Sequence, residues 1–316
     1  MALKITLEQA AEQLKSAQKI IVTAHVNPDG DAIGSSLATM QILKALGKDV
    51  RIFIDDKIPR NFLTMPCVDK VERPNDTDII DTDLLVILDA SPDRIGRVLQ
   101  ITKAPILNID HHVTNDGENV NLYLEAEAAA TCEIIFKLQK FLSVEMNKDI
   151  AQCLYTGIAT DTGFFIYANT RPSTMRAAAD LIEAGVKPNL IAEQMERKSL
   201  SEVQGMIEAL KTTKLFFDGK VVGIFIDENL SHQVDSTEGF IDLVRIIDDV
   251  EIAFLLTYKA ENFCRVSMRS RNVDVSEIAA KLGGGGHIRA AGCSIKAPFD
   301  IAKLIIINAI GEAIKK

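Results

Sequence analysis

Short apolar runs that end directly in acidic or histidine residues constrain this chain most. There are three: residues 19–24 precede His25, residues 84–88 precede Asp89, and residues 105–109 precede Asp110-His111-His112. Such runs are typical of strands buried in a parallel sheet. Because the carboxyl ends of parallel strands line a common crevice, we expect these polar side chains to share one site.

Segments with helical periodicity alternate with these strands. They cover residues 6–16, 32–46, 126–141 and 149–160, and a further strand is predicted at 50–54. Alternation of this kind indicates an α/β fold with a doubly wound parallel sheet.

The last third of the chain has a different pattern, which predicts a smaller α+β domain. Asp218-Gly219 lies between apolar runs and indicates a hairpin. Further strands are predicted at 252–258 and 263–268, and helices at 239–247, 275–281 and from Pro298 onward. We therefore predict three parts: an N-terminal domain over 1–187, a polar helical linker over 188–213, and a C-terminal domain over 214–316.

Composition excludes several classes of protein. Lys and Arg number 35 against 44 Asp and Glu, a net charge of −9, which opposes binding to long duplex nucleic acid. The five cysteines are scattered without a C-x-x-C pair, so neither a disulfide framework nor a thiolate zinc site is indicated, and a cytoplasmic location is expected. No signal pattern or bilayer-spanning apolar window is present, so we expect no membrane association.

Five carboxylates and the histidines are expected in the crevice: Asp29, Asp31, Asp89, Asp110 and Asp161, with His25, His111 and His112. Carboxylates this close repel one another unless positive charge is present. Mixed oxygen and nitrogen ligands suit Mn²⁺, Mg²⁺, Co²⁺ or Zn²⁺, and a metal pair at about 3.5–4 Å supports phosphoryl displacement.

Each of these residues also has a structural interpretation. The segment from Asn27 to Asp31 has turn chemistry, with Asp31 as the cap of the next helix. Asp89 fits a loop carboxylate that accepts backbone hydrogen bonds, and Asp161 fits a helix-terminal turn. The recurrence of such residues at several strand ends favours the metal site.

The chain resembles the DHH/DHHA1 phosphoesterases, most closely their nanoRNase and 3′-phosphoadenosine-5′-phosphate phosphatase branch. The resemblance covers nearly the whole chain and rests on motifs in the family's order. These are His25-Val26-Asn27-Pro28-Asp29-Gly30-Asp31, Asp89, Asp110-His111-His112, Thr131-x-Glu133, Asp161-Thr162-Gly163 and Gly283-Gly284-Gly285-Gly286-His287.

The resemblance implies a two-metal catalytic site in the N-terminal domain. One metal would be held by His25, Asp29 and Asp89, and the second by Asp31, Asp89, His111 and Asp161, with Asp89 bridging. Asp110 would orient a neighbouring histidine, and His112 would face the scissile phosphate. Two Mn²⁺ ions are expected, with Mg²⁺ or Co²⁺ as alternatives.

The resemblance also implies that the C-terminal domain binds substrate, with a cleft between the two domains. Its candidate residues are Arg269, Gly284, Gly285, Gly286 and His287. The glycines let backbone N–H groups approach an anion, although a flexible loop or helix cap would use them equally well. Between Lys259 and Lys296 there are seven basic residues and three acidic ones, and this local positive charge suits the binding of a short polyanion.

We expect hydrolysis of short oligoribonucleotides to mononucleotides, with 3′-phosphoadenosine-5′-phosphate as a further substrate and a homodimer as the assembly. The alternative within the enzyme class is a linear or cyclic dinucleotide phosphodiesterase. A non-catalytic nucleotide-sensing module is the alternative of another class. One departure concerns the segment Phe164-Phe165-Ile166-Tyr167, which is apolar where relatives often carry an arginine.

Overall fold

The computed structural model describes residues 3–75, 79–117, 119–234, 237 and 239–314. The chain divides into two compact units between Arg197 and Lys198. This division falls inside the segment that the sequence suggests as a linker. That segment consists of two helices, one in each unit.

The first unit is built on a seven-stranded sheet in which all paired strands are parallel. The strands are β1 (Leu3–Lys4), β2 (Lys19–Thr23), β3 (Asp49–Phe53), β4 (Val71–Glu72), β5 (Leu84–Leu88), β6 (Ile106–Asp110) and β7 (Asn121–Leu124). Their order is β1-β7-β6-β5-β2-β3-β4. The polar residues that follow β2, β5 and β6 therefore lie together at the carboxyl ends of three adjacent parallel strands.

Six α-helices accompany this sheet: α1 (Leu7–Ser16), α2 (Gly30–Ala45), α3 (Thr131–Phe141), α4 (Lys148–Asp161), α5 (Pro172–Glu183) and α6 (Pro188–Glu196). Helix α2 is buried along most of its length and packs on α4. Gly157 permits this close approach, because a Cβ there would lie 2.3 Å from Cys132 Sγ and 2.9 Å from Asp31 Oδ1.

The second unit contains a six-stranded mixed sheet in the order β12-β13-β11-β10-β9-β8. Its strands are β8 (Lys214–Phe216), β9 (Val221–Ile226), β10 (Ile252–Ala260), β11 (Phe263–Ser270), β12 (Gly285–His287) and β13 (Ala290–Ile295). The helices are α7 (Leu200–Lys211), α8 (Glu228–Ser231), α9 (Phe240–Arg245), α10 (Val275–Lys281) and α11 (Phe299–Ile314). Alternate residues of β9 pack on opposite faces, so the sheet has an apolar core on each side.

The predicted fold class is confirmed, and most predicted elements agree with the structure to within a few residues. The helix predicted from residue 126 was wrong at its start, because α3 begins at Thr131. The glycine run expected to form a loop is partly strand β12. None of the helices in the described segments is long and apolar enough to cross a membrane.

Candidate metal centre

Asp89 lies at the middle of the strand-end residues of the first unit and is almost fully buried. Its Oδ2 is 3.5 Å from His25 Nε2, and its Oδ1 is 3.5 Å from both His111 Nε2 and His112 Nδ1. The backbone is left-handed at Asp89, with φ of 56°, and its N–H donates to Ile109 O at 3.1 Å. Strained backbone of this kind is typical of functional sites.

Three groups of ligand-type side chains lie around this carboxylate, and the third of them consists of Asp89, Asp110, His111 and His112. His25, Asp29 and Asp89 form the first group, and Asp31, His111 and Asp161 form the second. Within each group the candidate ligand atoms lie within 4.8 Å of one another. His111 Nε2 is 3.5 Å from Asp161 Oδ2 and 4.0 Å from Asp31 Oδ2. The structure thus brings together the residues that the resemblance implies as metal ligands.

The two ligand-type histidines share one orientation. Nδ1 of His25 donates to Val26 O at 2.9 Å, and Nδ1 of His111 donates to Ala128 O at 3.2 Å. Because a carbonyl oxygen only accepts, Nδ1 carries the proton in both rings. Nε2 faces the carboxylates, which is the arrangement that metal-binding histidines adopt in proteins.

Asp29 caps a helix with one carboxylate oxygen and faces the candidate metal centre with the other. Its Oδ1 caps α2 by accepting from Asp31 N at 3.1 Å and Ala32 N at 3.0 Å, while Oδ2 lies 3.7 Å from His25 Nε2. The expectation that Asp31 would cap this helix was wrong, because Asp31 lies inside α2.

The carboxylate of Asp31 instead meets the start of α3. It accepts from Thr131 N at 2.6 Å and from Cys132 N at 2.8 Å. These N–H groups have no partner within their own helix, so they are available to a buried anion. Helix α3 therefore holds Asp31 in place beside Asp161 and His111.

Negative charge accumulates at this centre. Burial and the neighbouring Asp89 raise the pKa of Asp31 well above its usual value, and burial and Asp31 do the same for Asp161. Burial lowers the pKa of His25, but the nearby carboxylates of Asp29 and Asp89 outweigh this effect and raise it to about 10. Such an arrangement favours bound cations, and its oxygen and imidazole donors fit divalent metals.

Asp110 is placed to orient His112. It accepts from His112 Nδ1 at 2.8 Å, from the backbone N–H groups of His111 at 2.7 Å and His112 at 3.0 Å, and from Asn115 Nδ2 at 2.6 Å. Burial lowers the pKa of His112, but the Asp110 hydrogen bond and the charge of Asp89 raise it to about 9. Both oxygens of Asp110 are thus occupied by groups of the protein.

Asn108 and Asn115, which the sequence interpretation overlooked, and Thr131, which it noted only as part of a family motif, support these side chains. Asn115 Nδ2 also donates to Asn108 Oδ1 at 2.9 Å, and Asn108 Nδ2 donates to Ala90 O at 2.9 Å. Thr131 Oγ1 donates to Asp89 Oδ1 at 3.1 Å. The available signal was Asn108 itself, an amide inside an otherwise apolar strand, which needs buried hydrogen-bond partners.

The candidate substrate residues of the second unit lie near one end of its sheet. Arg269 is opposite Ala290, and Ala290 is opposite His287, so the three belong to one cross-strand row. Directly opposed residues share a face, which places Arg269 and His287 on one side at about 10 Å, two strand spacings. Within the described chain, the buried Nε of Arg269 has no hydrogen-bond partner.

The glycines near this row differ in their surroundings. A Cβ on Gly284 would lie 2.2 Å from Gly292 O, and one on Gly286 would lie 2.5 Å from Ala290 O. Backbone packing therefore explains both positions. At Gly285 a Cβ would meet nothing within 4 Å, so packing does not require glycine there.

Comparison with known proteins assigns both units. Residues 19–158 match the DHH family, N-terminal domain, and residues 216–316 match the DHHA1 domain. A protein of Thermus thermophilus, named bifunctional oligoribonuclease and PAP phosphatase NrnA, is 35% identical over 97% of this chain and 94% of its own length. The chain belongs to the DHH family.

Other similar proteins extend the comparison. A Bacillus subtilis protein with the same NrnA name is 26% identical over 87% of this chain and 89% of its own. The cyclic-di-AMP phosphodiesterase PdeA of Listeria monocytogenes is 24% identical over 92% of this chain but only 47% of its own.

Solved structures show the same fold. An exopolyphosphatase-related protein of Bacteroides fragilis superimposes with a TM-score of 0.87 at 25% identity, covering 97% of this chain and 95% of its own. The exonuclease RecJ, solved with bound manganese, has a TM-score of 0.54 at 16% identity, covering 100% of this chain and 96% of its own. At that identity the RecJ likeness concerns the fold alone.

Proposed function

We propose that this protein is a metal-dependent phosphodiesterase that hydrolyses short oligoribonucleotides to mononucleotides and also removes the 3′-phosphate of 3′-phosphoadenosine-5′-phosphate. The observation that carries the proposal is the pair of ligand groups on either side of Asp89. The near full-length similarity to the Thermus thermophilus protein supports the choice of substrate class.

Two divalent cations are the proposed cofactors, with Mn²⁺ preferred over Mg²⁺ or Co²⁺. His25, Asp29 and Asp89 would hold one, and Asp31, Asp89, His111 and Asp161 would hold the other. Bound cations would supply Lewis-acid polarisation of the phosphate and acidify water at neutral pH. The mixed carboxylate and imidazole donors fit these ions.

The protein's own groups would orient the substrate and supply a proton. The side chain of His112 is 25% exposed and therefore accessible to a ligand, and its hydrogen bond to Asp110 raises its pKa against the effect of burial. We assign it to the leaving oxygen of the scissile phosphate, where it donates a proton. Asp110 would act as its positioning residue, because it accepts from Nδ1 and thereby fixes the orientation of the ring.

We assign a phosphate-binding role to the cross-strand row of the second unit. Arg269 provides a partly buried guanidinium, His287 lies on the same face, and Gly285 leaves the backbone of strand β12 open to approach. Together with Gly284 and Gly286, these residues would bind a substrate phosphate that is not cleaved. Arg269→Ala should therefore raise KM more than it lowers kcat.

A metal-supplemented activity panel tests the proposal. The protein is freed of metal with a chelator, supplied with Mn²⁺ and incubated with RNAs of two to ten nucleotides. We expect mononucleotide products, fastest from the shortest RNAs, and none with Asp89→Asn. Asp93→Asn, an exposed carboxylate nearby, is the matched control. Equal activity of Asp89→Asn and the unmodified protein would contradict the assignment.

A dinucleotide phosphodiesterase is the second candidate, favoured by the similarity to the Listeria monocytogenes protein. Linear diadenylate, cyclic di-AMP and 3′-phosphoadenosine-5′-phosphate, compared side by side, separate the two. Preference for the cyclic compound would reverse the ranking. If none is hydrolysed but one binds, the nucleotide-sensing alternative holds.

We also propose a homodimer in a reducing, cytoplasmic compartment. The free state of all five cysteines supports the compartment. Sedimentation of the purified protein measures the assembly, and a monomer would contradict that part of the proposal.

A further inference from the structure

The chain makes an unusual turn directly after Asp161, the last residue of α4. Gly163, Phe164 and Phe165 all have left-handed backbone conformations, with φ of 55°, 56° and 67°. Two of these residues carry a bulky side chain, for which this conformation is unfavourable. The surrounding contacts must therefore determine the turn.

Thr162 provides those contacts. Its Oγ1 accepts from Phe165 N at 3.1 Å, and its carbonyl oxygen accepts from Ile166 N at 3.0 Å and Tyr167 N at 2.9 Å. The ring of Tyr167 covers Gly163 so closely that a Cβ there would lie 2.4 Å from Tyr167 Cζ. The backbone that carries Ile166 is therefore fixed.

Both ends of this turn are attached to the candidate metal centre. Asp161 belongs to the second ligand group. On the other side, Asn169 Nδ2 donates to Asp161 O and to Ala129 O, both at 3.1 Å. Ala129 follows Ala128, whose carbonyl oxygen orients His111. The turn is thus a closed loop that begins after a candidate metal ligand, Asp161, and ends at Asn169, which is hydrogen-bonded to the Asp161 backbone.

The side chains of the loop point in different directions. Phe164 and Phe165 pack on the core, and the Phe165 ring lies 5.8 Å from that of Tyr155. Ile166 is 74% exposed. A single exposed isoleucine is ordinary on a protein surface. This one differs because a strained and hydrogen-bonded backbone holds it close to the site of chemistry.

We propose that Ile166 contacts the nucleobase next to the scissile phosphate and thereby selects nucleoside phosphodiesters over phosphodiesters without a base. The inference rests on the proposed function. No charged residue occurs from Thr162 to Asn169, so this loop offers no ion pair to a phosphate. An apolar side chain contributes binding energy where the ligand has apolar surface, and the flat face of a base offers more of it than the polar sugar-phosphate chain.

Steady-state kinetics on two substrates test the inference. The substrates are linear diadenylate and a base-free ribose phosphodiester of the same length, assayed with Mn²⁺. We expect the unmodified protein to have the lower KM for diadenylate. Ile166→Ser should raise that KM about tenfold, with kcat within about twofold, and leave the base-free KM unchanged. Ile166→Val should remain close to the unmodified protein.

Controls separate a substrate contact from a structural effect. Ile79→Ser changes an isoleucine that is 83% exposed elsewhere and should alter neither KM. Equal KM values for the two substrates in the unmodified protein, or equal increases in Ile166→Ser, would overturn the inference. If the unmodified protein does not cleave diadenylate, the proposed function fails instead, and this is seen without any variant.

Discussion

Asp110 accepts a hydrogen bond of 2.8 Å from Nδ1 of His112. This contact assigns different roles to two residues of the DHH motif, since Asp110 orients the ring and His112 is the proposed contact with the substrate. The carboxylate of Asp110 is occupied by protein donors, and its contact with Nδ1 fixes the orientation of the His112 ring. We therefore expect Asp110 to act as a positioning residue whose effect on catalysis passes through His112.

Asp110→Asn should lower kcat by about 10- to 100-fold, the usual cost of losing a carboxylate that orients an imidazole. Mn²⁺ affinity, measured by calorimetry, should change little, because Asp110 is not among the proposed ligands. His112→Asn should produce a defect of the same kind. Loss of metal binding in Asp110→Asn would place Asp110 among the ligands instead.

Asp89→Asn should change the melting temperature of the metal-free protein and that of the metal-bound protein differently. In the metal-free protein, removal of a buried charge relieves repulsion with Asp31, so the melting temperature should stay equal or rise. With Mn²⁺, the unmodified protein should gain stability that the variant lacks. Thermal melts with and without Mn²⁺ measure both effects, with Asp93→Asn as control.

The ion pair between Asp55 and Arg97 predicts a pH-dependent contribution to stability. The hydrogen bond from Arg97 Nε, 3.0 Å from Asp55 Oδ1, lowers the pKa of Asp55. A lowered pKa stabilises the folded state above the unfolded value of about 3.9, and this stability is lost as pH falls through the folded value.

Asp55→Asn should therefore reduce the free energy of unfolding at pH 7 by about 1 kcal/mol or less, since Arg97 is partly exposed to solvent. The difference from the unmodified protein should shrink as the pH is lowered below about 4. Urea titrations at several pH values measure it. A difference that persists undiminished in acid would show that the carboxylate charge is not its source.

Gly284 and Gly285 form a matched pair for testing the glycine run. Gly284→Ala forces a methyl group onto Gly292 O and should destabilise the second unit by about 1–3 kcal/mol. Gly285→Ala meets no protein atom and should leave the melting temperature unchanged. If this backbone approaches substrate, KM for diadenylate should rise. Unchanged KM in Gly285→Ala would remove the glycine from the proposed phosphate site.

Sequence reasoning predicted the parallel sheet because its central strands are continuous apolar runs. Such a run can be identified as a buried strand without knowing which strands it pairs with. The same reasoning missed β1, β4 and β7, which are short and at least partly exposed, and also β12 and β13, of which β12 contains two glycines. Local composition gives little strand signal in such segments. Their pairing depends on neighbouring strands that lie far away along the chain.

The candidate ligands were also predictable, because each follows a strand or lies at a helix end. The supporting contacts were less so. The donation from the start of α3 to Asp31, and from Asn115 to Asp110, depends on tertiary packing that brings separate segments together. The conformation of the turn before Ile166 could not be predicted from the sequence either, because Phe164 and Phe165 adopt a left-handed backbone that phenylalanine seldom has.

The position of the candidate ligands after three separate strands, β2, β5 and β6, has a consequence for folding. His25, Asp89 and His111 follow three different strands and are far apart in sequence, so a disordered chain presents these donors too far apart to chelate one ion. Affinity for divalent cations should therefore arise only as the sheet assembles, and the ions should act as ligands of the native state that draw late folding intermediates toward it.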